Sequence, residues 1–131
     1  DAKLDIFADE LVHRQNAADR YAALLEGVVG TPSLAAGVTS SWAQYVIQLP
    51  QGSNRDTTCQ SLTNSGVPTA IYYPVPMHRQ PPYAHYPVSA CDLPVTMDLC
   101  DHVLALPMHP YLETAQQVHI ASSLKDALVK A

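Results

Sequence analysis

A proline-rich segment, Gly66–Tyr83, constrains this chain more than any other stretch; it reads Gly-Val-Pro-Thr-Ala-Ile-Tyr-Tyr-Pro-Val-Pro-Met-His-Arg-Gln-Pro-Pro-Tyr. Gly66 can take a left-handed conformation and end a helix, and the run Val67–Tyr73 is apolar and β-favouring. Pro74 and Pro76 have no backbone N–H, so a strand cannot continue past them. The segment therefore predicts a strand over Val67–Tyr73 and then a stiff, extended loop.

The loop is rich in side chains that can bind a ligand. They are Tyr72, Tyr73, His78, Arg79, Tyr83, His85 and Tyr86. A loop stiffened by proline suits recognition of a polar ligand because it has little entropy left to lose on binding. The alternative is a proline-rich surface connection without a function of its own. The cluster of Tyr72, Tyr73 and His78 is our candidate ligand-binding site.

Composition narrows the class of protein. The 131 residues suffice for one domain, and the net charge of −5 without a Lys/Arg cluster disfavours nucleic acid or an anionic membrane as a partner. No apolar run has transmembrane length, and no signal peptide precedes the first helical pattern. The cysteines, Cys59, Cys91 and Cys100, are odd in number and lack Cys-x-x-Cys spacing, which favours reduced thiols. We therefore predict a cytoplasmic protein, and the missing start methionine indicates a piece of a longer chain.

Hydrophobic periodicity and turn residues predict helices and strands in alternation. The predicted elements are a helix over 5–26, a strand over 42–49, a helix over 55–64, a strand over 67–73, a helix over 95–102, a strand over 103–106 and a final helix from Thr114. This order is typical of a small α/β or α+β sandwich, in which helices cover one side of a few strands.

The same patterns predict which faces are buried. On the first helix the buried face would consist of Phe7, Leu11, Arg14, Ala18, Tyr21 and Leu25. On the first strand it would consist of Ala43, Tyr45, Ile47 and Leu49. Leu99 and Val103 would form the buried side of the predicted helix over 95–102. Thr114 and Gln117 have the spacing of a capping box at the start of the last helix.

Signatures of catalysis are absent from the sequence. It has no Gly-x-Ser-x-Gly motif, no P-loop and no Gly-x-Gly-x-x-Gly motif. Asp98, Asp101 and His102 are of residue types that bind metals, but their spacing does not place them well on one helix face, and an exposed polar face is favoured. We predict no catalytic residue and no metal site in this chain.

Four motifs resemble a known family. They are Phe7-Ala-Asp-Glu-Leu-Val-His-Arg-Gln with Arg20-Tyr21, Ser41-Trp-Ala-Gln-Tyr, the Gly66–Tyr83 segment, and Val103-Leu-Ala-Leu-Pro-Met-His-Pro-Tyr-Leu. Together, and in this order, they resemble the C-terminal part of the DegT/StrS-type sugar aminotransferases. The resemblance extends over essentially the whole chain.

The resemblance implies a fold and an activity. Those enzymes are fold-type I homodimers that depend on pyridoxal phosphate (PLP) and move an amino group, usually from glutamate, onto a keto sugar attached to a nucleotide. The Trp-Ala-Gln-Tyr form is similar to the branch that acts on UDP-linked 3-keto sugars of surface polysaccharide synthesis. Residues 1–131 would be the small C-terminal domain, with about three mostly antiparallel strands covered by helices. Residues 1–27 would form a linking helix and residues 41–131 an α/β core, without the N-terminal PLP domain.

Departures from the family pattern limit what this chain can do. Family members hold PLP on a lysine of the large domain, whereas Lys3, Lys125 and Lys130 resemble no such motif. The chain alone is therefore predicted to be inactive and free of PLP. Many relatives read His-Tyr-Pro where this chain reads Tyr72-Tyr73-Pro74, so the sugar-binding role of that histidine would pass to Tyr72 or His78. A strand would place Tyr72 and Tyr73 on opposite faces, and we favour Tyr73 for the pocket.

Two other functions remain open at this stage. One is a PLP-type sugar dehydratase of the same family, in which a histidine replaces the lysine. The other is a free-standing ligand-binding or interaction module without a catalytic partner domain.

Overall fold

Helices dominate the structure, a computed structural model that describes residues 2–88 and 92–130. Cys91, which entered the thiol prediction, lies outside these ranges. In chain order the elements are α1 (Ala2–Asp5), α2 (Phe7–Leu25), β1 (Tyr45–Gln48), α3 (Arg55–Asn64), a 3₁₀ turn (Met77–Arg79), α4 (Pro94–His102), β2 (Val103–Leu106) and α5 (Thr114–Lys130).

The sheet at the centre of the fold is small and antiparallel. Strands β1 and β2 pair with Tyr45 opposite Leu106 and Gln48 opposite Val103. A single bridge extends each edge, from Gly30 to Gln48 and from Ala70 to Ala105. Helices α2, α3 and α5 pack around this sheet and share one apolar core with it. The predicted α+β class is confirmed.

The predicted strand over 67–73 is wrong, because only Ala70 pairs with β2. Its N–H donates to the Ala105 carbonyl at 3.2 Å, and the Ala105 N–H donates back at 2.8 Å. Continuing this antiparallel register toward the chain start would place Pro68 opposite Pro107. Neither proline has an N–H, so the next hydrogen-bonded pair cannot form. The described sheet therefore has two strands where about three were expected.

Strand β1 is shorter than predicted because Trp42 lies in the left-handed region, with φ at 47°. Its indole is buried nonetheless, and Nε1 donates to Gln15 Oε1 at 2.7 Å. Ala43 is exposed, against the prediction. The remaining three residues of the predicted face are buried as expected: Tyr45, Ile47 and Leu49.

Helix α2 buries only part of its predicted face. Ala18, Tyr21 and Leu25 are buried in the core, whereas the side chain of Phe7 is 50% exposed. Leu11 is half-buried. The C-terminal half of α2 thus belongs to the same core as the sheet, and its N-terminal half presents apolar side chains outward.

The start of α5 differs from the predicted capping box by one residue. Gln116, not Gln117, reaches back, and its Oε1 accepts a hydrogen bond from the Glu113 N–H at 2.9 Å. Gln117 is instead fully buried and donates from Nε2 to the Ala17 carbonyl at 2.8 Å. Thr114 is the first helical residue, so the residue before it occupies the N-cap position.

Helix α4 buries none of its residues, so the prediction that Leu99 is buried is wrong. Leu99 is 37% exposed. Polar contacts attach the helix to β1 and the following turn, since the Asp98 carboxylate accepts from Gln48 Nε2 at 3.3 Å and from Gln51 Nε2 at 2.7 Å. Val103 is partly buried at the junction with β2.

Candidate functional site

The candidate segment begins at a fixed point, the end of α3. Gly66 has φ at +74°, as predicted for a glycine that ends a helix. The Gly66 N–H donates to the Thr63 carbonyl at 3.0 Å, and the Val67 N–H donates to the Leu62 carbonyl at 2.9 Å. This pair of bonds is the Schellman arrangement, and both Leu62 and Val67 are buried in the core. The segment is therefore anchored before its polar part starts.

After the Ala70 bridge the chain leaves the sheet and exposes two tyrosines. Tyr72 is 41% exposed and Tyr73 is 68% exposed. The peptide bond between them is cis. Their ring centroids are 5.7 Å apart in an edge-to-face contact. The expectation that the two rings point to opposite faces is wrong, because no strand continues through them.

The loop after Tyr73 folds into consecutive turns instead of the extended path predicted. The Arg79 N–H donates to the Pro76 carbonyl at 2.9 Å, and the Tyr83 N–H donates to the Gln80 carbonyl at 2.9 Å. The Gln80 side chain also donates from Nε2 to the Val75 carbonyl, at 3.2 Å. These bonds hold the loop by its backbone and leave Tyr83 and Tyr86 exposed.

Tyr72 lines a cavity of about 280 Å³ beside the C-terminal end of β2. The residues that define this Tyr72 cavity include Gln44, Thr69, Ala70, Tyr72, Pro107 and Met108. Among the lining residues, Gln44 has a side-chain amide, and Thr69 and Tyr72 have hydroxyls, so the lining includes hydrogen-bond donors and acceptors. An arrangement of this kind can recognise hydroxyl or carbonyl groups of a polar ligand.

His78 lines a different cavity, of about 360 Å³. The residues that define this His78 cavity include Met77, His78, Tyr83, Tyr86, Leu93 and Thr96. His78 Nε2 is buried and has no hydrogen-bond partner among the described residues. The structure thus separates Tyr72 from His78, and Tyr73 lines neither cavity.

Sequence reasoning missed some of the residues at these two cavities. The predicted alternation over 42–49 leaves Gln44 off the buried face, and Gln44 is exposed, but nothing local showed that Thr69 and Tyr72 would line the same cavity. The Trp-Ala-Gln-Tyr motif was the available signal for Gln44. Leu93 and Thr96 reach the His78 cavity from α4 and the residue before it, and only the fold reveals that.

The described residues do not form the other kinds of site considered from the sequence, a metal site or a lysine that holds PLP. The Asp98 carboxylate lies 3.2 Å from His102 Nδ1, but within residues 2–88 and 92–130 no three acidic, histidine or cysteine side chains are grouped as metal ligands. Lys125 is exposed on α5 and lines neither cavity. The described side chains therefore do not fit the role of a PLP-bearing lysine. Within the same ranges, no helix combines the length and apolarity needed to cross a bilayer.

Comparison with known proteins identifies relatives along nearly the whole chain. The sequence model of the DegT/DnrJ/EryC1/StrS aminotransferase family matches residues 1–125. A UDP-2-acetamido-2-deoxy-3-oxo-D-glucuronate aminotransferase from Pseudomonas aeruginosa is 39% identical over 93% of this chain and 33% of its own length. A UDP-N-acetyl-3-dehydro-alpha-D-glucosamine 3-aminotransferase from Acidithiobacillus ferrooxidans is 37% identical over 88% of this chain and 30% of its own length.

Solved structures show the same relationship. The crystal structure of a DegT DnrJ EryC1 StrS aminotransferase from Brucella abortus superimposes with a TM-score of 0.90 and 42% identity, over 97% of this chain and 33% of that one. The described fold is therefore that of part of an aminotransferase. The chain spans about a third of the length of the curated relatives it matches.

Proposed function

This chain belongs to the DegT/DnrJ/EryC1/StrS aminotransferase family, and from that premise we propose that it is the C-terminal, substrate-recognising third of a nucleotide-sugar aminotransferase. The whole enzyme would transfer an amino group, from a donor such as glutamate, to a keto sugar linked to a nucleotide. It would act as a cytoplasmic homodimer. In this proposal residues 1–27 link the small domain to the rest of the enzyme and residues 41–131 form the core that carries the substrate loop.

The observation that carries the proposal is the Tyr72 cavity on a chain of this family. Gln44, Thr69 and Tyr72 contribute an amide and two hydroxyls to a lining that is otherwise apolar, and such neutral donors and acceptors suit the hydroxyl and carbonyl groups of a keto sugar. The two curated relatives described above are named for UDP-linked sugars with a keto group at carbon 3. We therefore propose a UDP-linked 3-keto sugar as the substrate.

The residues of this chain would bind and orient the sugar. The Tyr72 hydroxyl and the Gln44 amide would form hydrogen bonds with it, while Tyr73, exposed beside Tyr72, would cover the ligand with its ring. PLP, held by a part of the enzyme outside this chain, would carry the amino group. A sugar held by several hydrogen bonds presents its keto carbon in one orientation, which is the contribution of positioning to the rate.

The two alternatives are not favoured by the relatives. Both curated relatives described above are named as aminotransferases, and so is the Brucella abortus structure. Neither a dehydratase nor a free-standing module gains support from them.

Steady-state kinetics of the full-length protein that contains this chain test the proposal. Tyr72→Phe and His78→Ala each remove a hydrogen-bonding group proposed to bind substrate, and Tyr73→Ala removes the ring proposed to cover it. His13→Ala, on the exposed surface of α2, is the control. A lost hydrogen bond worth about 1–3 kcal/mol predicts a KM for the keto sugar roughly tenfold to a hundredfold higher, with kcat largely kept. If all three variants kept the wild-type KM and kcat, the loop would be a surface connection without a role in substrate binding.

A further inference from the structure

We propose that another cavity, between α2 and the loop that precedes β1, binds a small organic cation that carries a primary ammonium group. This Tyr45 cavity has a volume of about 260 Å³, and its lining includes Gln15, Asp19, Pro32, Leu34, Trp42 and Tyr45. None of these residues lines the Tyr72 cavity or the His78 cavity. The inference therefore goes beyond the proposed function and does not depend on it.

The first argument is the buried hydroxyl of Tyr45. The residue is 1% exposed, and its hydroxyl has no hydrogen-bond partner within residues 2–88 and 92–130. Buried polar atoms in folded proteins almost always have a partner, because a missing partner is costly. Since Tyr45 lines the cavity, a ligand bound there can supply the missing bond. A hydroxyl oxygen accepts well from an ammonium N–H, whose charge strengthens the bond.

The second argument is the negative charge at the cavity. Asp19 is part of the lining and is exposed, and its Oδ1 accepts from Gln15 Nε2 at 2.8 Å, which holds the carboxylate in place. Burial raises the pKa of Tyr45 to about 12, and the Asp19 charge adds to the rise. The carboxylate thus lies within electrostatic reach of the phenol. A cation between the two groups would interact with both.

The third argument is the pair of aromatic rings in the lining. The ring centroids of Trp42 and Tyr45 are 5.7 Å apart, with the planes tilted by 38°. Aromatic rings attract cations, and indole does so most strongly. Trp42 Nε1 already donates to Gln15 Oε1, so the indole is held in position before a ligand arrives.

The backbone at Trp42 supports the same interpretation. A φ of 47° is costly for a bulky residue. Two hydrogen bonds hold this conformation: Arg14 Nη1 donates to the Trp42 carbonyl at 3.0 Å, and the Trp42 N–H donates to Ser40 Oγ at 3.1 Å. Backbone conformations that are costly but held in place by their surroundings are concentrated at binding sites. Here the conformation accompanies an indole that lines the cavity.

These features together favour a primary alkylammonium ion. Its N–H groups can donate to the Tyr45 hydroxyl and the Asp19 carboxylate, whereas a quaternary ammonium has none to donate. Pro32 and Leu34 add apolar surface that suits a short alkyl chain. Leu34 is 41% exposed, so this side of the cavity is accessible from solvent. An anion would be repelled by Asp19.

Calorimetric titration of the full-length protein with three probes at constant ionic strength tests the site. The probes are n-butylammonium, 1-butanol, which keeps the alkyl chain and lacks the charge, and tetramethylammonium, which keeps the charge and lacks the N–H groups. The test variants are Tyr45→Phe and Asp19→Asn. Tyr21→Phe is the first control, since its hydroxyl already donates to the Pro107 carbonyl. Asp126→Asn, at an exposed position on α5, removes the same charge away from the cavity.

We expect the wild type to bind n-butylammonium with a Kd in the millimolar range, as suits a ligand of about five non-hydrogen atoms, and 1-butanol at least about tenfold more weakly. Tyr45→Phe and Asp19→Asn should each weaken n-butylammonium binding about tenfold, through the loss of one charge-assisted hydrogen bond. Binding of tetramethylammonium should depend on Asp19 and not on the Tyr45 hydroxyl. Both controls should keep the wild-type affinity.

Tyr45→Phe separates binding from folding. It removes an unpaired buried hydroxyl, so the free protein should be at least as stable as the wild type, and misfolding cannot explain a loss of affinity. Failure of n-butylammonium to bind the wild type, or wild-type affinity in either test variant, would overturn the site. Equal binding of 1-butanol would overturn it by showing that the cavity selects for an apolar chain alone. An equal loss in Asp126→Asn would overturn it by showing an effect of net charge.

Discussion

Tyr21 and Tyr45 lie side by side in the core, with ring centroids 4.9 Å apart, yet they differ in how their hydroxyls are satisfied. The Tyr21 hydroxyl donates to the Pro107 carbonyl at 2.9 Å. The Tyr45 hydroxyl is buried and has no partner within residues 2–88 and 92–130. Two buried tyrosines in contact thus provide a matched pair for separating packing from hydrogen bonding.

We expect Tyr45→Phe and Tyr21→Phe to change stability in opposite directions at neutral pH. Tyr45→Phe removes an unpaired buried hydroxyl and should raise the free energy of unfolding by about 0–1.5 kcal/mol. Tyr21→Phe leaves the Pro107 carbonyl unpaired and should lower it by about 1–2 kcal/mol. Urea unfolding of both variants beside the wild type measures the difference, and equal losses in the two variants would contradict the assignment of partners.

Alkaline pH should destabilise the fold through the same two tyrosines. Burial raises the pKa of Tyr45 to about 12, and the nearby Asp19 charge adds to the shift; burial also raises the pKa of Tyr21, with the nearby Tyr45 adding to the rise. An unfolded tyrosine ionises near pH 10, so above that pH the unfolded chain gains stability that the folded chain does not. The contribution of Tyr45 is therefore complete below about pH 10 and is lost between about pH 10 and 12.

Unfolding free energies measured from pH 8 to 11 check this behaviour. Lysines titrate in the same range, so the informative quantity is the difference between the wild type and Tyr45→Phe. We expect that difference to be constant up to about pH 10 and then to shift in favour of the variant by as much as about 1.4 kcal/mol per pH unit. If the unfolding free energies of the wild type and Tyr45→Phe changed in parallel up to pH 11, Tyr45 would ionise in the folded protein as it does in the unfolded chain.

Gln117 should be among the most sensitive polar positions in the chain. It donates to the Ala17 carbonyl, and its Oε1 accepts from Arg20 Nε at 2.5 Å, so it joins α5 to α2 without any solvent access. Gln117→Ala removes both hydrogen bonds and leaves a gap in a fully buried place, and it should cost about 2–4 kcal/mol. The adjacent Gln116→Ala, at an exposed position, should cost no more than about 1 kcal/mol. Similar losses in the two variants, measured by urea unfolding, would contradict the role assigned to Gln117.

Local patterns predicted the elements better than they predicted the contacts. The helix over 55–64 and the burial of Tyr45 and Ile47 follow from periodicities of a few residues, and the structure confirms them. Gln117 was assigned to a cap because its partner, Ala17, lies 100 residues away and leaves no local signal.

The errors in the sheet and at the site share that cause. Ala70 forms a single bridge because Pro68 would face Pro107, a coincidence that only the register reveals. The His78 cavity likewise depends on the chain returning at Leu93 and Thr96. The loop that carries Tyr72 and His78 was therefore predictable, but the two different cavities that these side chains line were not.

PLP should not bind covalently to the 131-residue chain on its own. Its lysines are Lys3, Lys125 and Lys130, and Lys125 is exposed on α5, away from both cavities. After mixing with PLP and reduction with borohydride, peptide mapping should find at most partial, scattered labelling. Stoichiometric labelling of one lysine together with transaminase turnover would show that the chain holds its own cofactor.

The N-terminal half of α2, with the residues before it, should make the 131-residue chain associate with itself. Leu4, Ile6, Phe7 and Val12 are all exposed there, whereas the C-terminal half of the helix is covered by the core. Exposed apolar side chains that lie close together favour association because contact removes their surface from water. Light scattering should show an average mass that rises with concentration, and a double substitution, Phe7→Ser with Val12→Ser, should reduce the rise. Val129→Ser, at an even more exposed apolar position near the end of α5, is the control and should leave the rise intact. A chain that stays strictly monomeric at high concentration would contradict the prediction. If Val129→Ser reduced the rise in mass as much as the double substitution does, the association would arise from general surface hydrophobicity and not from this helix.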